Sequence, residues 1–258
     1  MSFTKLFKNC AFDIPYEEVG DHVNYAFVED GRTLYIYFQG SQGDVDWRRN
    51  FSFWKHPYKD MKNPYLVHSG FMTAWKEVED IVIEKITERS AVMSMEYRWD
   101  KIIVVGYSHG GALAAFCHEC VWYHRPDIRE KCWGIGFEAP RIYAGFRFRT
   151  ELRSRWNNFR VFRNRQDLVT HVPPKAFGFW HVGKLVQIGG KWHPWAALKG
   201  CFKALFSKDW KKAADCAKEV VCILPHYQHE MIDSLTEFDA TEEGQALAAE
   251  MGITREDA

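Results

Sequence analysis

The sequence predicts an α/β fold: a mostly parallel central sheet with helices on both faces and an antiparallel hairpin at its N-terminal side. Three observations predict it. Ile102 to Val105 are four consecutive β-branched apolar residues, the composition of a strand buried on both faces, and a small-residue helix follows at once. Strand-like and helix-like stretches alternate through the middle of the chain, the order that winds a parallel sheet. Near the N-terminus, Val23 to Val28 and Thr33 to Phe38 flank Glu29-Asp30-Gly31-Arg32, whose Asp-Gly pair favours a tight hairpin.

The central strand runs into Gly106-Tyr107-Ser108-His109-Gly110, a G-x-S-x-G at a strand-to-helix turn. Glycines on both flanks let a strained turn close and let the helix approach the sheet. The Ser108 hydroxyl is thereby pushed out above the carboxyl end of the strand, which makes Ser108 the candidate nucleophile. A turn-only role is the alternative for such a pentapeptide, and the buried strand before it and Gly111-Ala112-Leu113-Ala114 behind it argue against that.

The chain has 258 residues and no evident linker, so a single domain over 1–258 is expected. Lys+Arg equals Asp+Glu at 34 each, which gives no reason to expect nucleic acid as a partner. Aromatic residues make up 16%, with 11 Trp, enough to line an apolar pocket as well as a core. Seven cysteines in no framework spacing, and an N-terminus without a long apolar run, point to a reducing cytoplasm. No window approaches the roughly 20 apolar residues of a membrane span, so any membrane contact is expected to be peripheral. Cys117-His-Glu-Cys120 has the look of a metal knuckle, but Leu113, Phe116, Cys117, Cys120 and Val121 trace one apolar helical face, so both cysteines read as core thiols and no metal site is expected.

Taken in order, the hairpin's second strand ends in Gln39-Gly40-Ser41-Gln42-Gly43, a loop where an open α/β sheet places its active site. Asp46-Trp47-Arg48-Arg49-Asn50-Phe51-Ser52-Phe53-Trp54 has no clean period and suits a mobile flap. Trp75, Val78, Val82 and Ile86 recur at helical spacing after Val67-His68-Ser69-Gly70-Phe71. Cys132 to Phe137 and Phe159 to Arg163 read as further strands, and Lys184 to Ile188 as another. Seven lysines alternate with large apolar residues over a basic amphipathic insertion at about 191–218. Such a helix can lie on an anionic membrane or pack on the domain with snorkelling lysines. Pro225-His226-Tyr227-Gln228-His229 opens a last helix, and the acidic tail at about 237–258 is expected to fray.

A serine hydroxyl needs a histidine to take its proton and a carboxylate to orient and stabilise the imidazolium. Asp167 lies just beyond a predicted strand and fits the acid, although a surface acid explains that position equally well. His226 lies late in the chain at a loop-to-helix junction and fits the base; a structural histidine is the alternative there.

Across roughly residues 20 to 235 the chain resembles the class 3 lipase family, the fungal-lipase-like α/β hydrolases. Gly106 to Ala114 is similar to that family's nucleophile motif. Gln39-Gly40-Ser41 with Asp46-Trp47 resembles its oxyanion loop and lid, and Glu138-Ala139-Pro140-Arg141 its G-x-P-R strand end. Asn164 to Val169 with Val172-Pro173-Pro174 resembles the acid-bearing segment, and Pro225-His226 the base-bearing one. The family commonly has Asp before the base and Tyr three residues after it; here these positions hold Pro225 and His229, so His229 stays a rival base. Glu138 stands where a glycine is usual, a carboxylate that either adjoins the site or faces solvent. His181 matches a structural segment of the family.

The resemblance implies an α/β-hydrolase fold and acyl transfer from a lipid ester without a cofactor. Ser108 attacks, His226 carries the proton and Asp167 holds the imidazole. The backbone N–H groups of His109 and Ser41 receive the oxyanion. It also implies a lid over about 42–64, with Trp47, Phe51, Phe53 and Trp54 above the acyl site. A phospholipase A1 or lysophospholipase is the alternative among enzymes, and a catalytically inactive hydrolase fold that binds lipid is the alternative outside them. The expected location is cytoplasmic, with peripheral contact at a membrane surface left open.

Overall fold

The computed structural model describes residues 1–20, 23–40, 54–58, 65–91, 96–145, 150–165, 167–190, 203, 207, 211 and 228–253. Its main sheet contains β1 (Glu17–Val19), β2 (Val23–Asp30), β3 (Thr33–Phe38), β6 (Lys101–Tyr107), β7 (Cys132–Phe137), β9 (Phe159–Asn164) and β11 (Lys184–Ile188) in the order β1-β2-β3-β6-β7-β9-β11. The first three pair antiparallel, and β3, β6, β7, β9 and β11 run parallel. Gly31 (φ 57°) turns the expected hairpin and sets Asp30 opposite Thr33. The backbone sign there suits a residue without a Cβ.

Both faces of the parallel strands are buried, which is why Ile102 to Val105 is apolar throughout. Leu34, Ile36, Phe38, Ile102 and Val104 face one core, closed by α2 (Ser69–Ile86) and α3 (His109–His124). Tyr35, Tyr37, Ile103, Val105, Tyr107 and Phe137 face the other. α2 presents Phe71, Trp75, Val78, Val82 and Ile86 to the first core at the predicted spacing. Cys117 and Cys120 of α3 are buried there, and burial raises both thiols well above their usual range.

The second core is covered by parts the motifs do not announce. α1 (Phe3–Lys8) buries Phe3, Leu6 and Phe7, and Ser2 accepts the Lys5 N–H at 3.2 Å as its cap. A π-helical turn, Asn9–Asp13, follows and buries Cys10. α1 meets α5 (Gln228–Asp239), whose Asp239 carboxylate accepts from the Phe3 and Thr4 N–H groups at 2.9 Å and from the Thr4 hydroxyl at 2.6 Å. The stretch expected to fray is instead ordered through Ile253: α6 (Glu242–Glu250) is capped by Thr241, which accepts the Gly244 N–H at 3.0 Å. Phe238, Leu247, Met251 and Ile253 bury into the second core, so the acidic residues are the outer side of an amphipathic segment. Glu242 and Glu243 also stand in the first turn of α6, where the helix dipole favours negative charge.

A second, four-stranded sheet was not expected. It is ordered β10-β8-β5-β4, from β4 (Lys55–Tyr58), β5 (Tyr65–His68), β8 (Tyr143–Ala144) and β10 (Phe179–Trp180), all antiparallel. This corrects the flap expected over 42–64 at its C-terminal part: Lys55–Tyr58 is a strand, held because Tyr58 is buried against Tyr65 and Phe116 at 5.4 and 5.5 Å between ring centroids. Beneath this sheet Glu119 is fully buried; Arg155 donates to it at 2.5 Å, and the Tyr65 and Tyr143 hydroxyls bond to the same carboxylate. The rest of the expected lid, with Trp47, Phe51 and Phe53, lies outside the described residues, as does nearly all of the basic 191–218 segment. Among the described residues no helix is long and apolar enough to cross a membrane.

Candidate active site at the carboxyl edge of the sheet

The turn after β6 is closed by contacts only glycine permits. A Cβ on Gly106 would meet the Gly110 carbonyl oxygen at 2.0 Å, and one on Gly110 would meet the Phe38 carbonyl oxygen at 2.1 Å. One on Gly111 would press on Ala139 Cβ at 2.7 Å. α3 therefore starts directly against the ends of β3 and β7. Ser108 occupies the bend with φ 52° and ψ −118°, a backbone conformation an L-residue adopts at a cost. Its N–H donates to the Phe137 carbonyl at 2.9 Å and its carbonyl accepts from Gly111 at 3.0 Å, which holds the strained unit from both sides. Although Ser108 is the N-cap of α3, its hydroxyl makes no capping bond.

His109 opens α3, so its backbone N–H stands at the electropositive end of the helix, where a developing oxyanion is favoured. Its ring is buried and packs against Phe71 at 5.5 Å. The partner expected for it in the oxyanion hole, Ser41, lies outside the described residues.

Asp167 is fully buried just past β9. Its N–H donates to Asn164 at 3.1 Å, and one carboxylate oxygen accepts the Val169 N–H at 3.0 Å, which sets the direction of the carboxylate. The Thr170 hydroxyl donates to the Asp167 carbonyl at 2.8 Å, and His181 Nε2 lies 2.7 Å from the Thr170 carbonyl. Burial, against that bond, pushes His181 down to about 3, so His181 is neutral and donates to Thr170. It braces the acid's loop, the structural role its motif implied. Below Asp167, Asn164 accepts from Ser234 of α5 at 2.8 Å and ties the loop to the late part of the chain.

Charge surrounds the acid. The Arg163 guanidinium is lowered by burial, a shift opposed by Asp167. Arg141, the last residue of the Glu138 to Arg141 motif, is buried; it donates to the Pro173 carbonyl at 3.1 Å and bonds the His171 carbonyl, and burial with Arg163 nearby pushes it down to about 10. Tyr107 is raised well above the usual phenol range by burial, then by Glu138 and Asp167. Glu138 itself is completely buried, so the solvent-facing alternative for it is excluded.

The fold brings Ser108, His109, Glu138 and Asp167 to one edge. His226 lies outside the described residues. The rival His229 is the second residue of α5, with a side chain 73% exposed and Nε2 3.7 Å from a Glu230 carboxylate oxygen. Trp54, assigned to the lid, is 76% exposed at the start of the second sheet. Tyr107 and Arg163 were not singled out from sequence; they stand one residue before Ser108 and four before Asp167, Tyr107 buried and Arg163 half-buried, and only the charge interactions that the fold gives them with a carboxylate mark them.

Comparison with known proteins agrees with this layout. Rhizomucor miehei lipase is 26% identical over 153 residues, covering 59% of this chain and 41% of its own length. Rhizopus oryzae lipase is 30% identical over 161 residues, covering 59% and 38%. The chain thus spans about two fifths of the length of these curated relatives. Among solved structures, Rhizomucor miehei triacylglyceride lipase superposes with a TM-score of 0.55 at 24% identity, covering 68% of this chain and 66% of that one. A triacylglycerol lipase whose catalytic centre is formed by a serine protease triad superposes at 0.56 and 25% identity, with the same coverage. The sequence model of the family Lipase (class 3) matches residues 35–177, more than half of the chain, and the chain belongs to that family.

Proposed function

We propose that this chain hydrolyses lipid carboxylic esters through an acyl-enzyme on Ser108. The observation that carries this reading is the strained turn that sets Ser108 between the end of β6 and the start of α3, one strand away from Glu138 and two from the Asp167 loop. The proton of the Ser108 hydroxyl passes to a histidine, for which His226 is the candidate, as the bond from Oγ to the acyl carbon forms. Asp167 orients that imidazole, and the imidazole returns the proton to the departing alcohol. The His109 N–H at the helix N-terminus, with Ser41, receives the oxyanion; loss of one such donor typically raises the barrier by about 3–4 kcal/mol. Water then resolves the acyl-enzyme by the same route.

The relatives include secreted mono- and diacylglycerol lipase A of Penicillium camembertii, 27% identical over 169 residues, which supports an acylglycerol as substrate. Trp47, Phe51 and Phe53 belong to an aromatic-rich stretch suited to an apolar cover over an acyl chain, and peripheral contact with a lipid surface is part of the same reading. A cytoplasmic location is supported by Cys10, Cys117, Cys120 and Cys132, which are buried and free. Fractionation of producing cells tests it.

The deciding experiment measures hydrolysis of short esters, triacylglycerols and phospholipids side by side, with Ser108→Ala as control and a fluorophosphonate as label. Ester cleavage and labelling, both lost in Ser108→Ala, are expected. A variant that cleaves as fast as the parent overturns the reading. A rate governed by phospholipid head group moves it to phospholipase A1 or lysophospholipase.

A further inference from the structure

Near the starts of β9 and β11 the surface opens into a hollow of about 240 Å³, with Arg153, Trp156, Asn157, Trp180, His181 and Lys184 among its lining residues. Neither Ser108, His109 nor Asp167 lines it. Its walls are anchored chain. α4 (Thr150–Ser154) and the turn after it are fixed from inside: Leu152, Arg155 and Trp156 are buried, Arg155 is paired with Glu119, and the Trp156 indole N–H donates to the Ala115 carbonyl at 3.0 Å. Arg153 and Asn157 are exposed beside these anchors. Across from them Gly183 (φ 74°) lies so close to β9 that a Cβ there would meet the Phe159 carbonyl oxygen at 2.3 Å. The next residue is Lys184, again exposed.

The chemistry of the lining is one-sided: a guanidinium, an ammonium and a carboxamide, with no carboxylate. Among the described residues no acid pairs with Arg153 or Lys184, and the Asn157 side chain makes no hydrogen bond. Other cations of this chain do meet acids: Arg32 meets Asp100, Arg98 meets Glu29 and Glu88, and Arg125 meets Asp127. Trp180 spends its indole N–H on the Gly145 carbonyl at 2.9 Å, so it offers the hollow ring surface. His181 Nε2 lies 2.7 Å from the Thr170 carbonyl and must donate to it, which leaves Nδ1 as an acceptor.

Two cations call for about two negative charges on the occupant. A phosphomonoester carries about −1.5 to −2 near pH 7, and its oxygens suit both the planar fork of an arginine and the point charge of a lysine. A carboxylate would leave one cation uncompensated. The hollow is smaller than the roughly 300–1,000 Å³ of pockets for drug-sized ligands, so the organic part has few carbons.

We propose that this hollow binds a small phosphomonoester, its phosphate between Arg153 and Lys184 with the Asn157 amide donating to it, and its hydroxylated carbon part against Trp180 and His181 Nδ1. A soluble polyol phosphate and a lipid head group ending in a phosphomonoester share this chemistry. The His181 wall also braces the Asp167 loop through Thr170.

The test titrates the full chain with sn-glycerol 3-phosphate and with glycerol by calorimetry, and sediments it with phosphatidylcholine vesicles with and without phosphatidic acid. Arg153→Gln, Lys184→Gln and the double variant are compared with Lys175→Gln, an exposed lysine outside the lining. All four replace exposed side chains, and a parental Tm confirms that each is folded. Saturable binding of glycerol 3-phosphate and none of glycerol is expected. Each single variant in the lining should weaken it about tenfold, the scale of one charge-assisted hydrogen bond, and Lys175→Gln should not. Binding should also weaken from pH 7 to pH 5, where the phosphate, with its second pKa near 6, takes up a proton. Saturable binding without sedimentation assigns a soluble phosphomonoester. Sedimentation that needs phosphatidic acid and is lost in the double variant assigns the lipid head group. The proposal is overturned if neither glycerol 3-phosphate nor phosphatidic acid vesicles bind, or if the double variant binds them as the parent does. No readout uses ester cleavage, so this inference and the hydrolase reading stand or fall separately.

Discussion

Gly106 and Gly110 face each other across the bend at Ser108 so closely that a Cβ on Gly106 would lie 2.0 Å from the Gly110 carbonyl oxygen. The atoms that Cβ would meet are all backbone, so nothing can swing aside. Gly106→Ala is expected to push α3 off the ends of β3 and β6, with a stability loss of at least about 1–3 kcal/mol, the usual scale for overpacking. Urea unfolding and fluorophosphonate labelling should report the loss together. Labelling at the parental rate in a folded Gly106→Ala protein would show that the turn does not depend on this approach.

Arg155 and Glu119 form a buried pair at 2.5 Å beneath the second sheet, with side chains 5% and 0% exposed. Burial pushes Glu119 up to about 7 against the lowering effect of its bonds to Tyr65 and Arg155. Arg155→Met leaves that carboxylate without its cation, and breaking one side of such a pair costs about 3–5 kcal/mol. Replacing both partners, as in Arg155→Met/Glu119→Gln, should recover much of the loss because no buried charge is left uncompensated. A double variant no more stable than the single one contradicts this account.

His181 and His118 are held neutral by burial, His181 down to about 3 and His118 down to about 4. An unfolded histidine takes its proton near 6.5, well above either folded value, so between these limits the unfolded chain binds more protons and stability falls as pH falls. Each residue should withdraw about 2 kcal/mol between pH 7 and pH 5. Tm measured across that range is expected to drop steadily, and His181→Asn should flatten the slope. A Tm unchanged from pH 7 to pH 5 would rule out neutral burial of both rings.

The local chemistry of the sequence determined the parallel strands, the Asp-Gly hairpin, the face that α2 buries and the turn at Ser108. Each of these is written in periodicity or in glycines a few residues apart. It left undecided whether Asp167 was a surface acid and whether Glu138 faced solvent, because burial depends on neighbours far along the chain. The tertiary structure decided both, through a register that aligns the ends of β6, β7 and β9 and buries the two carboxylates at one edge. It also decided the second sheet and the ordered acidic segment. Strands as short as Tyr143–Ala144 carry no periodic signal, and the apolar side of α6 has meaning only against the sheet face it covers.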